Sequence, residues 1–222
     1  MIVRVLWLAA AMLAAVPAVA SAADTDALAE RLHHLPDSPG RAVLDAALTA
    51  HAAAVRSGQV RRPDLLTVID YSRPSTERRL WVFDLKAARV LFHELVAHGR
   101  NSGENDTRTF SNAVGSHMTS LGLFVTDVSY TGRNGYSLRL DGLDPGLNDN
   151  ARLRAVVIHG AAYVNERIAA LKGRLGRSHG CPAVRPEVAR ALIDAIKGGS
   201  AIFAIAAPAV GRQLPASLSL PR

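Results

Sequence analysis

Residues 177–183 read Arg177-Ser178-His179-Gly180-Cys181-Pro182-Ala183, and a second stretch upstream reads Ala155-Val156-Val157-Ile158-His159-Gly160. Cys181 is the only cysteine among 222 residues, so no intrachain disulfide is available. A thiol becomes a nucleophile when it ionises near an imidazole or a cluster of backbone N–H groups. His179 lies two residues before Cys181. Gly180 between them permits a tight turn and would leave the amides of Gly180 and Cys181 to face a developing oxyanion. His159 closes an apolar run and is followed by Gly160, as expected of a strand that delivers a general base at its tip. A carbonyl or another side chain would then orient the imidazole. Zinc is the competing use of His159, His179 and Cys181. A tetrahedral site wants a fourth ligand or a water, and the His-x-Cys spacing is crowded. No metal or cofactor is therefore expected, and an inert buried thiol fits the polar, Gly-flanked setting poorly.

Outward from this pair the texture is that of strands. Leu65–Tyr71, Leu80–Leu85, Val90–Val96, Leu121–Val128, Tyr136–Leu140, Ala155–His159 and Ala201–Ala206 are short runs rich in Val, Leu, Ile, Phe and Trp. Turn residues separate them at 72–75, 86–89, 99–107 and 145–150. Pro186–Lys197 has the period of an amphipathic helix ended by Gly198-Gly199. Residues 24–63 read as a helical prelude, with Ser38 as N-cap, Pro39 at the first helical position, Val43, Leu44, Ala47, Leu48, His51 and Val55 at helical spacing, and Gly58 as the stop. Trp81, His93, His98 and His117 read as core or loop residues, and Phe110–Ser120 as a segment that could line a cleft or simply turn.

The N-terminus reads as an export signal over residues 1–23: Arg4, then an apolar run from Val5 to Val16, then the small residues Ala18, Ala20, Ala22 and Ala23. That run is short for a bilayer span, which needs about 20 residues. No stable membrane insertion is expected after cleavage, and the placement is the periplasm or cell wall. The domain expectation is 24–63 helical, 64–207 catalytic, and 208–222 a loose tail with three prolines. Hydrophobic residues make up 49 %, which excludes disorder over the whole length. The net charge is +7, but the basic residues are scattered and match no nucleic-acid-binding pattern, so no nucleic-acid partner is expected.

His159-Gly160 followed by Ser178-His179-Gly180-Cys181 resembles the signature of the L,D-transpeptidase (YkuD-like) family, in the branch whose cluster continues as Cys181-Pro182-Ala183. Asp70-Tyr71-Ser72 with Pro74-Ser75, Trp81–Asp84 and His98-Gly99-Arg100-Asn101-Ser102-Gly103 carry it further. So do Phe110-Ser111-Asn112, Ser120-Leu121-Gly122 and Leu138-Arg139-Leu140, and the resemblance spans about residues 65–206. It implies a mainly β fold, a β-sandwich with a few peripheral helices and the cysteine in a cleft. It also implies a peptidoglycan enzyme in which Cys181 attacks the stem peptide, His159 handles the proton, and His179, Gly180, Gly160 and Ser178 shape the site. Crosslinking or exchange of the terminal D-amino acid would follow. The alternatives are a peptidase or amidase using water, and a non-catalytic wall-binding module. The better-studied branch carries an Arg two residues after the cysteine, where this chain has Ala183. Arg177 and Arg185, with Ser111 and Asn112, are the expected substrate contacts in its place.

Overall fold

The computed structural model describes residues 22–206. Two helices come first, α1 (Ala22–His33) and α2 (Arg41–Arg56), and nine strands follow with two further helices. The strands are β1 (Leu65–Asp70), β2 (Leu80–Asp84), β3 (Arg89–Glu94), β4 (Val96–Ala97), β5 (Gly122–Gly132), β6 (Gly135–Gly142), β7 (Val157–Gly160), β8 (Ala183–Val184) and β9 (Ala201–Ile205). Helix α3 (Glu166–Lys172) lies between β7 and β8, and α4 (Pro186–Ile196) between β8 and β9.

All nine strands belong to one sheet, in the order β3-β2-β1-β9-β5-β6-β7-β8-β4. The two strands at its ends are consecutive in the chain and separated by Leu95 alone. A sheet whose ends meet through one residue must bend back on itself, so the expected two-layered, mainly β body is a single sheet, nearly closed. Strands β1 and β9 pair in parallel, and every residue of both is buried. Their unbroken apolar runs follow from burial on both faces, which removes the usual alternation.

The helical prelude packs onto the sheet: Leu32, Leu44, Ala47 and Leu48 share one core cluster with Val68, Trp81, Phe83 and Phe203. It is two helices, and the expected start at Ser38-Pro39 is wrong, because Gly40 is the N-cap of α2. The reason is tertiary. Trp81 Nε1 donates to the Asp37 carbonyl at 2.6 Å, and Asp37 has φ +58, so the chain is held in a turn until residue 40. The Ser38 hydroxyl caps nothing and has no hydrogen-bond partner. Helix α3, over a stretch to which the sequence assigned no element, is bounded by Asn165, whose side chain accepts from the Ile168 N–H at 2.8 Å, and by left-handed Gly173. Helix α4 begins at Pro186 and buries Ala189, Leu192, Ile193 and Ile196. The expected export signal and tail fall almost wholly outside the described residues. Among the described residues no helix is long and apolar enough to cross a membrane.

Candidate active site

Strand β7 carries His159 at its third position, buried at 6 % exposure. Its Cα partner on the parallel neighbour β8 is Ala183. Cys181 lies two residues before Ala183 on that neighbouring path. The half-buried thiol takes the Val157 N–H from that strand and gives its own proton to the Ala155 carbonyl at 3.7 Å. Ala155 is left-handed, with φ +53. Cysteine and histidine are thus neighbours, each with a resting hydrogen bond to backbone and none to the other.

The imidazole is oriented as a base requires. His159 Nδ1 lies 3.0 Å from the Gly160 carbonyl oxygen. A carbonyl only accepts, so Nδ1 holds the proton and Nε2 is the lone-pair nitrogen. Burial pushes the imidazole below its usual value, toward the neutral form, partly offset by that hydrogen bond. Burial likewise pushes the Cys181 thiol up, while the Val157 amide and the Arg154 guanidinium pull it back. Gly160 is dictated by packing: a Cβ there would stand 3.0 Å from Ala189 Cβ and 3.2 Å from Pro186 Cα, where α4 crosses β7.

The turn from 178 to 181 is closed by Ser178. Its hydroxyl donates to the Cys181 carbonyl at 2.7 Å and accepts the Gly180 N–H at 3.0 Å. The expectation of two free amides therefore needs correcting: the Gly180 amide is spent on the turn. No hydrogen bond from the Cys181 N–H is found among the described residues. Gly180 has φ +115, and a Cβ on it would meet the Met118 carbonyl oxygen at 2.7 Å. His179 is exposed and stacks on His117, centroids 4.3 Å apart. Arg100 in turn donates to His117 Nδ1 at 2.7 Å. Among the described residues no three His, Cys, Asp or Glu side chains converge as metal ligands.

The four expected substrate contacts all make hydrogen bonds within the protein. Arg185 makes a two-pronged ion pair with buried Glu94, both bonds at 2.8 Å. Arg177 binds Glu104 at 2.7 Å and the carbonyls of Arg100 and Gly103. Asn112 ties its loop to the 145–150 turn, donating to Asp149 at 2.6 Å and accepting from the Asn150 N–H. The Ser111 hydroxyl accepts from the Ala113 N–H, and its carbonyl accepts from Arg154. Arg154, which the sequence did not single out, reaches the Gly180–Cys181 turn: Nη2 would lie 3.1 Å from a Cβ at Gly180. Its only linear signal is its place just before β7.

A family model for the L,D-transpeptidase catalytic domain matches residues 38–205. No curated protein matches the chain significantly. Solved structures similar in part include an L,D-transpeptidase from Mycobacterium smegmatis, at 16 % identity and TM-score 0.38, over 64 % of this chain and 58 % of that one. Another is the L,D-transpeptidase from Stackebrandtia nassauensis, at 14 % and 0.40, over 82 % and 76 %. A mutant L,D-transpeptidase of Enterococcus faecium matches at 18 % and 0.37, over 64 % and 50 %. At such scores the family assignment rests on the family model. This chain spans less than two thirds of the Mycobacterium and Enterococcus structures.

Proposed function

The chain belongs to the L,D-transpeptidase catalytic domain family, and from that premise we propose that it is a cysteine acyltransferase working outside the inner membrane on peptidoglycan stem peptides. The observation that carries this reading is the pair of adjacent paths: a tautomer-fixed His159 on β7 and Cys181 at the foot of β8, with no hydrogen bond found from the Cys181 N–H among the described residues. Rotation of the thiol from the Ala155 carbonyl to His159 Nε2 sets up the reaction. His159 takes the proton, and the Cys181 sulfur attacks the carbonyl between the third and fourth stem residues. The Cys181 N–H holds the oxyanion. The C–N bond breaks, the terminal D-Ala amine leaves with the proton returned by His159, and a thioester remains. An amine from a second stem attacks that thioester, His159 accepts its proton, and an amide crosslink or an exchanged terminus results while the thiolate is reprotonated. Burial disfavours the Cys–His ion pair at rest, so the proton moves from sulfur to His159 as the sulfur attacks, with the Val157 amide and the Arg154 guanidinium offsetting part of the cost at the sulfur.

Intact-protein mass after incubation with tetrapeptide-stem muropeptide, or with a carbapenem, tests this. Wild type is expected to gain one covalent adduct that Cys181→Ala lacks. Absence of any adduct on the folded wild type would sink the acyl-enzyme and leave a wall-binding module. With an acceptor stem present, products containing only trimmed monomer would assign the reaction to hydrolysis instead of transfer.

A further inference from the structure

We propose that Arg154 is a positioning residue for the nucleophile, clamping the 111–120 segment against the Gly180–Cys181 turn and keeping one uncompensated positive charge beside the Cys181 sulfur. This rests on the reading of Cys181 as nucleophile. Nη1 donates to the Ser111 carbonyl at 2.7 Å and to the Ser120 hydroxyl; Nη2 donates to the Met118 carbonyl at 2.5 Å and to Ser116 Oγ at 3.2 Å. Four N–H groups of the planar fork are thus used on one loop, as only arginine can. The Met118 carbonyl is also the atom against which Gly180 packs, so the clamp bears directly on the turn. The next residue after Arg154, Ala155, supplies the carbonyl that receives the thiol. The dipeptides Arg154-Ala155 and Gly180-Cys181 therefore lie against each other.

Every acceptor of the half-buried Arg154 is neutral, and no Asp or Glu pairs with it among the described residues. The arginines that flank Cys181 in sequence, Arg177 and Arg185, are both neutralised by carboxylates. Burying an unpaired cation is costly, and a neutral amide could hold a loop at lower cost. The retained charge has a use at Cys181. Of the other titratable groups around the site, Tyr163, beyond β7, is pushed up to about 12 by burial, buried Tyr71 at the end of β1 is pushed up as well, and burial pushes His159 and His117 down, all toward their neutral forms. Arg154 is the fixed charge among them, and it favours the thiolate.

The test is the pH dependence of Cys181 alkylation by iodoacetamide, read by intact mass, on wild type, Arg154→Met and Arg154→Lys, with a circular-dichroism melt of each. Arg154→Met is expected to move the half-point up by about one pH unit with the high-pH plateau rate unchanged. Arg154→Lys, which keeps the charge and loses the fork, is expected to hold the half-point near wild type while melting lower. A folded Arg154→Met with the wild-type half-point overturns the proposal, as does an Arg154→Lys profile shifted as far as the Met one. Should Arg154→Met not fold, Arg154→Gln, which keeps N–H donors and drops the charge, is read in the same way. Carbapenem acylation separates the two levels. Wild type that is never acylated defeats the nucleophile reading, whereas acylated wild type with unshifted variants defeats the role of Arg154 alone.

Discussion

Two arginines stand on either side of the Cys181–His159 pair, and they are held in opposite ways. Arg185, just past β8, is locked by Glu94, whose other flank meets Arg78 at 3.4 Å; Glu166 closes the network at 3.5 Å from Arg185 and 2.9 Å from Arg78. Arg154, just before β7, is held by carbonyls and hydroxyls. The first arrangement cancels its own charge and fastens the start of α4 to β3. The second leaves its charge standing. One flank of the site is thus mechanical and the other electrostatic, although both use a guanidinium with two or more strong hydrogen bonds.

The largest effect belongs between the flanks. His159→Gln removes the lone pair that receives the thiol proton and is expected to slow acylation about 10²–10⁴-fold. A single-turnover carbapenem assay measures it, and a loss under tenfold would remove His159 from the proton path. Next comes the mechanical flank. Glu94→Ala leaves Arg185 and Arg78 with only the exposed Glu166 as a carboxylate partner and is expected to lower stability by about 1–3 kcal/mol, by urea denaturation. Acylation of the folded fraction should stay within about twofold of wild type, a conservative margin against the about tenfold change that 1.4 kcal/mol would bring. A large acylation loss with stability intact would make Arg185 part of the chemistry and erase the contrast.

That contrast was not legible in the sequence, for a physical reason. Arg177 and Arg185 drew attention because they adjoin Cys181 in the chain, but the carboxylates that neutralise them lie 73 and 91 residues away. Arg154 is held by loop oxygens at 111, 116, 118 and 120; the stretches around Ser111 and Ser120 carried the family resemblance, but nothing in the sequence pairs any of the four with residue 154. The strands were readable, since β1, β2 and β9 bury nearly every residue and show as apolar runs. Helix α4 was readable from its period. Helix α3 was not: seven residues with Leu171 exposed make no apolar stripe, and its Asn165 and Gly173 boundaries look like turn residues. The start of α2 misled because Ser38-Pro39 is a good local cap that a distant indole overrules.

A smaller effect separates the helical prelude from the site. His51 in α2 is buried with Nε2 unpartnered, and burial pushes it down to about 4. Its pKa is lower folded than unfolded, so the unfolded chain binds the extra proton between about 6.5 and 4, and stability falls as pH drops through that window. His98, under Arg79, is pushed down to about 4 by burial and then by Arg79, and acts in the same direction. His51→Leu is expected to remove about 1–3 kcal/mol of the acid-dependent loss between pH 7 and pH 4, measured by urea melts at both pH values. An unchanged slope would mean that α2 already admits water at His51.

Gly160 gives the smallest change and the finest test of how α4 is seated. Gly160→Ala places a methyl 3.0 Å from Ala189 Cβ and 3.2 Å from Pro186 Cα. The neighbours must give by a few tenths of an ångström, at an expected cost of about 1–2 kcal/mol in urea denaturation. Since the Gly160 carbonyl orients His159, the same shift also tilts the imidazole, and acylation should fall by about three- to tenfold, about 0.7–1.4 kcal/mol of barrier. Adding Ala189→Gly restores the space on the helix side. If that second change recovers the acylation rate, the seating of α4 reaches the base through the Gly160 carbonyl. If stability returns and the rate does not, the carbonyl follows β7 alone, and helix packing and base orientation are independent.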